Sequence, residues 1–157
     1  NVLQVSGVTV SSGQYPGETT TGSATAGNVG EFISSSIPTG SAVSLTTATP
    51  ANVTSISLTA GDWNVWGTVG FLPNAATTQS QLTGAINTTS ATLPTSPAGG
   101  ALAIYNLAFT AGSVNEFPVG SVRISISGTT TVYLVAQAVF AVNTNAAFGF
   151  IGARRAR

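Results

Sequence analysis

The chain has no histidine, cysteine or methionine, and its four basic residues are all arginine, so it also lacks lysine. Only eight of its 157 residues carry a formal charge. Each absence removes a chemistry. Without imidazole, thiol or amine, no side chain has an ordinary pKa that suits it to act as a base near neutrality. Zinc and other transition metals lose their soft ligands for the same reason. No disulfide framework is available. No apolar run is long enough for a membrane-spanning helix, and no basic-then-apolar leader segment is present. The cations are Arg123, Arg154, Arg155 and Arg157. Nucleic acid binding begins with many more charges than that, so nucleic acid is not expected as a partner, and neither is membrane insertion.

What the chain does have is hydroxyl. Serine and threonine supply 42 residues and glycine 18 more. Residues 1–30 open with NVLQVSGVTV, which alternates enough for one short strand. The rest of that stretch, SSGQYPGETTTGSATAGNVG, is too poor in apolar residues to build a core. It reads as an extended arm or linker that either packs on a partner or is mobile, with Gly27 and Gly30 as hinge residues.

From residue 31 onward short strands follow one another, separated by Gly, Pro, Asn and Thr. NVTSISL and DWNVWGTVGF both alternate with period two, the pattern of half-buried strands, and the turn between them predicts a hairpin. SVRISIS alternates with Val122, Ile124 and Ile126 inward. In TVYLVAQAVF, Val132, Leu134, Ala136, Ala138 and Phe140 line one face while Tyr133, Val135 and Val139 crowd the other. An antiparallel strand of a lone sandwich wets one face, so this strand predicts a cover, and the simplest is another copy of the chain. About eight strands without a helix of ten residues predict an all-β antiparallel sandwich, and eight strands in roughly 125 residues suit a jelly roll. The organisation expected is an arm at 1–30 and a single head domain at 31–157.

Candidate chemistry is sparse. The carboxylates are Glu18, Glu31, Asp62 and Glu116. A paired-carboxylate hydrolase needs two of them facing each other across a site, and Asp62, just after Gly61, is expected to cap backbone N–H groups of its turn instead. No nucleophile with a base, no phosphate loop and no calcium cluster occurs. The expectation is therefore no catalytic residue, no metal site and no cofactor. Trp63 and Trp66 lie three apart in a strand and so face opposite ways. The outward Trp66 suits a subunit contact or, as the competing reading, a sugar-stacking platform.

Two segments carry a resemblance. TTVYLVAQAVF followed by AFGFIGARRAR, with VTSISLTAGDWNVWGTVGF, resembles C-terminal head domains of tailed-bacteriophage and prophage virion proteins, and more distantly the trimeric jelly rolls of the tumour-necrosis-factor and C1q type. The resemblance covers residues 29–157. It implies a structural virion protein, a homotrimer displayed as a fibre or decoration head, joined to other virion proteins through residues 1–30 and able in some members to meet a host-surface glycan or protein. It places Tyr133, Val135, Ala136 and Val139 near a trimer core, where the outward Trp66 is a further interface candidate from its own face, and makes Arg154 and Arg155 candidates for contacts at the base. The alternative from another class is a carbohydrate-binding module of a secreted or surface protein. In a jelly roll the first strand lies beside the last, which brings Glu31 near Arg154 or Arg155. Alternation then predicts Arg154 inward, on the face of Phe148 and Phe150, with Arg155 outside.

Overall fold

The computed structural model describes residues 21–157 and, nearer the N-terminus, the backbone of two short strands, β1 (Gln4–Val5) and β2 (Val8–Thr9). These two pair antiparallel, so the single strand expected there is a small ribbon. The other residues of the expected arm lie outside the described residues. Nine strands follow: β3 (Phe32–Ile37), β4 (Val43–Ser44), β5 (Ala51–Leu58), β6 (Gly61–Pro73), β7 (Thr78–Asn87), β8 (Leu102–Phe109), β9 (Asn115–Ile126), β10 (Thr130–Ala141) and β11 (Asn145–Arg155). One 3-10 turn, Thr39–Ser41, is the only helical element among the described residues.

Two antiparallel sheets pack as a sandwich. One has the order β3–β11–β6–β9, with the short β4 also pairing with β11, and the other has the order β5–β10–β7–β8. Period-two alternation delivers one face of each strand to the space between them. Leu58, Trp63, Val65, Val69, Phe71, Leu82, Val132, Leu134 and Ile151 are all fully buried there. Val122, Ile124 and Ile126 of β9 pack against this core from its margin, in the inward register expected of SVRISIS.

Leu134 decides much of the packing. Reaching across from β10, it occupies the space left by two glycines of the opposite sheet. A Cβ on Gly67 would stand 3.1 Å from Leu134 Cδ1, and one on Gly149 3.0 Å from Cδ2. The inward side of β11 is accordingly small, with Ala147, Gly149, Ile151 and Ala153. Its aromatic residues, Phe148 and Phe150, therefore take the outer face. This reverses the expectation that Phe148 and Phe150 mark the core side.

The expected hairpin of NVTSISL with DWNVWGTVGF does not form. β5 pairs with β10, whereas β6 pairs with β11 and β9, so the Thr59–Ala60 connection arches from one sheet to the other. Alternation fixes which side of a strand is buried, and both strands do bury theirs. It leaves open whether consecutive strands lie side by side or face each other across the core.

Part of the outer face of β10 is buried within the single chain. Ala136 points into the core, and Val135, on the outer face between Asn52 and Ala85, has no accessible surface either. The loop after β7 folds back onto that face, held by Asn52 Nδ2 donating to Ser90 Oγ at 2.7 Å and by Ala91 N–H donating to Asn52 Oδ1 at 2.7 Å.

The close approach at Gly67 is testable. A Cβ there would sit 2.8 Å from the Phe150 carbonyl oxygen, a backbone atom that cannot swing aside. Gly67→Ala is expected to cost about 1–3 kcal/mol in denaturant unfolding. Gly40→Ala, whose Cβ would meet nothing within 4 Å, should stay within about 0.5 kcal/mol of the parent.

Candidate functional site

Charge is confined. No residue of β5, β7, β8 or β10 carries a formal charge. Glu31, Asp62, Arg123, Arg154, Arg155 and Arg157 gather at the end of the sandwich where β6 begins and β11 finishes. Glu116 is paired with Gly70, far along β6 toward the other end.

The centre of the charged end is Arg155. The first described strand of the sandwich, β3, runs antiparallel to the last, with Phe32 opposite Arg154, so the residue before β3 reaches the end of β11. Glu31 and Arg155 exchange backbone contact, Arg155 N–H donating to the Glu31 carbonyl at 2.9 Å. Their side chains meet as well: Arg155 Nε donates to Glu31 Oε2 at 2.9 Å, with both side chains more than nine-tenths buried. Nη1 donates to the Ala60 carbonyl at 2.8 Å and Nη2 to Thr59 Oγ1 at 2.5 Å. The guanidinium carbon lies 4.3 Å over the Trp63 ring. Trp63 Nε1 in turn donates to the Thr59 carbonyl at 2.9 Å. A planar fork with five donors suits this arrangement, in which one cation ties together the segment before β3, the β5–β6 arch and the end of β11. Gly61 is required because a Cβ there would collide with Nη1.

The expected orientation of the two arginines is thus inverted. Arg155, not Arg154, is the buried partner of Glu31, because it shares its side of β11 with Ile151 and Ala153, which face the core. Arg154 is exposed on the outer face with Phe150, and no ion pair holds it among the described residues.

Glu31 Oε2 also accepts the Gly27 N–H at 2.8 Å. That bond, with the Arg155 pair adding to it against the cost of burial, holds its carboxyl below the usual carboxylate range. Gly27 and Gly30 have φ of 89° and 91°, which suits the tight path the chain takes to reach this point. Asp62 does not cap its turn. Its Oδ1 accepts a hydrogen bond from Arg123 Nε at 2.7 Å, its Oδ2 forms an ion pair with Arg157 Nε at 2.7 Å, and the hydrogen bond from Arg123 lowers its pKa. The three carboxylates among the described residues are committed in this way or isolated, and they form no metal-ligating group of three.

The outer face of the β3–β11–β6–β9 sheet carries the second feature. Trp66 and Phe32 stack with centroids 6.0 Å apart and planes at 25°. A Cβ on Gly70 would collide with the outer end of the Phe148 ring, and one on Gly152 would lie 3.0 Å from the Phe150 ring, so both phenylalanines use space that a side chain at these glycines would take. Together these rings make an aromatic face, with Phe32 37 % and nearby Val29 68 % exposed. An open depression of about 360 Å³ beside Trp66 is lined by Val29, Asn64 and Arg154 among others.

Other exposed apolar side chains lie along the sheet edges. β8 and β9 are free edges of their sheets; Ile104 and Leu107 of β8 are 47 % and 58 % exposed, and Val114, just before β9, is 53 % exposed. Tyr105 turns in to meet Phe117 at 4.5 Å. No charge, proline or lysine guards β8 against pairing.

Of the residues expected at an interface between copies, Trp66 lies within the aromatic face. Tyr133 and Val139 are half-buried on the outer side of β10, and Val139 borders a depression of about 300 Å³ beside Phe109. Val135 and Ala136 have no accessible surface in the single chain. The β8 edge was not singled out by sequence, although the 53 uncharged residues between Asp62 and Glu116 are its signal. No protein-family model, curated protein or solved structure matches this chain.

Arg155→Met should destabilise the domain by about 3 kcal/mol, since it leaves Glu31 buried without its cation, and Arg155→Lys should recover only part because an ammonium cannot span the three acceptors. Thermal unfolding measures both. Glu31 and Asp62 have depressed pKa values in the folded chain, so their contributions are complete above the ordinary carboxylate range and fade as pH falls through it. Stability is expected to be level across neutral pH, where no histidine or cysteine titrates, and to fall below about pH 4.5. Glu31→Gln should shallow that acid limb. An unchanged limb in the variant contradicts the assignment.

Proposed function

We propose that this domain is a non-catalytic structural and recognition module, the homotrimeric head of a bacteriophage virion protein, with a jelly-roll fold. The strand order supports the fold. Counting the eight long strands in sequence, one sheet reads first–eighth–third–sixth and the other second–seventh–fourth–fifth, the arrangement of a double Greek key. The resemblance of residues 29–157 to phage head domains supports the setting.

The observation that carries the reading is that one chain exposes two different apolar features, the aromatic face around Trp66 and Phe32 and the uncharged edge strand β8, along which Ile104 and Leu107 are exposed. A two-fold dimer needs one self-complementary patch. Two different patches suit a head-to-tail contact, which closes into a ring when the rotation permits. A trimer is the smallest ring. Large exposed apolar patches on a surface this poor in charge also need cover for solubility.

A second reading has its own observation. The half-buried Trp66–Phe32 stack beside a depression of about 360 Å³ also has the form of a sugar-stacking platform, as in a carbohydrate-binding module. The two readings part on mass. Light scattering at micromolar protein is expected to give three times the chain mass, and Leu107→Asp is expected to lower it to that of one chain with the fold kept. A monodisperse monomer for the parent chain rejects the trimer and leaves the platform reading.

A further inference from the structure

The depression beside Trp66 offers hydrogen-bond donors as well as an aromatic ring. Its volume, about 360 Å³, lies near the small end of the range of ligand sites and suits one sugar ring. Trp66 and Val29 give it apolar walls, while Asn64 and Arg154 bring polar side chains. Asn64 Oδ1 already accepts the Ser121 hydroxyl at 3.2 Å, which leaves its Nδ2 donors, and a guanidinium has donors alone. Arg154 is exposed and forms no ion pair among the described residues. No carboxylate of those residues competes for it. Glu31 is buried against Arg155, and Asp62 is held by Arg123 and Arg157. Glu116 shares the outer face with Arg154, but the two stand opposite Gly70 and Asn64 of β6, roughly 20 Å apart along the strand. At the end of the sandwich where the depression lies, four arginine side chains face two carboxylates, an excess of positive charge that favours an anion.

We infer that the depression binds a pyranose carrying a carboxylate, with the sugar ring against Trp66 and the carboxylate on the Arg154 guanidinium. The inference rests on the sugar-platform reading given above and adds the class of sugar. Trp66 supplies apolar contact to the C–H groups of the ring. A carboxylate accepts two parallel N–H bonds from the guanidinium fork, and the Asn64 amide is a further donor at the same site. A neutral sugar brings only hydroxyls and leaves the cation without its anion, so the donors discriminate for the acid.

The test compares methyl glucuronide with methyl glucoside, which differ only in a carboxylate replacing the hydroxymethyl group. Trp63 is fully buried and Trp66 half-buried, so a sugar-dependent change in tryptophan emission reads Trp66. The protein is kept at a dilution where acrylamide reaches Trp66, so that self-association does not mask the site. The glucuronide is expected to bind the parent about tenfold more tightly than the glucoside, and Arg154→Gln to bring the two to equal affinity. Arg154 is exposed, so the fold is expected to survive, as checked by circular dichroism. A methyl sialoside, which also carries a carboxylate on its ring, separates the two sources: tighter binding of the sialoside assigns sialic acids, and tighter binding of the glucuronide assigns uronic acids. Equal binding of all three sugars overturns the carboxylate while leaving the platform. A preference for the acids that Arg154→Gln leaves unchanged overturns Arg154 as their partner. No response to any of the three removes the platform reading itself, and the inference with it.

Discussion

The buried guanidinium of Arg155 is the point on which the charged end of the sandwich closes. A cation away from water is costly unless its donors are satisfied and a carboxylate answers it. Here the answer comes from three directions: Glu31 ahead of β3, the Thr59 hydroxyl and Ala60 carbonyl of the β5–β6 arch, and the Trp63 ring beneath. These elements are distant in sequence and belong to both sheets. Holding them on one side chain fixes where the first strand starts, how the chain crosses between sheets, and where the last strand stops. The depressed pKa of Glu31 reflects the same closure, since Gly27 and Arg155 both stabilise its charged form.

From that closure follows the character of the rest. Most of the charge is taken up at one end, so the β5–β10–β7–β8 sheet is wetted by hydroxyls and amides alone, and two apolar surfaces stay uncovered. Leu134 links the interior to one of them. It packs over Gly67 and Gly149, where backbone carbonyls also leave no room for a Cβ, on the inner side of β11 whose alternate positions carry Phe148 and Phe150 outward. There they pack beside Gly70 and Gly152 and, with the Trp66–Phe32 stack, make an aromatic face. The register that seats Leu134 inside thereby also sets the outer surface through which the domain is proposed to assemble.

Much of the fold was legible in the sequence because alternation reports burial directly. The all-β class, the inward register of Val122, Ile124 and Ile126, and the opposed faces of Trp63 and Trp66 follow from period two. Partner strands do not. NVTSISL and DWNVWGTVGF look like a hairpin and form an arch, because a short turn serves both. Faces were misjudged where residue size misleads: two phenylalanines beside two arginines suggest a core side, and the real core side is alanine, glycine and isoleucine. Asp62 after Gly61 has the look of a turn cap, yet two arginines distant in sequence claim it. The doubly apolar TVYLVAQAVF signalled a covered outer face; on that face Val135 is fully buried within the single chain, while Tyr133 and Val139 are half-buried. The link of the loop after β7 to Asn52 joins residues 38 and 39 apart and has no local sign.

The central claim is that the aromatic face is an interior surface of an assembly. Its two tryptophans provide the most direct probe, because Trp63 is fully buried in the single chain and Trp66 is half-buried on that face. Acrylamide quenching of tryptophan emission, followed across a dilution series, should show one quenchable tryptophan in dilute protein and none in concentrated protein. A quenchable fraction that stays constant across the same range would contradict the account.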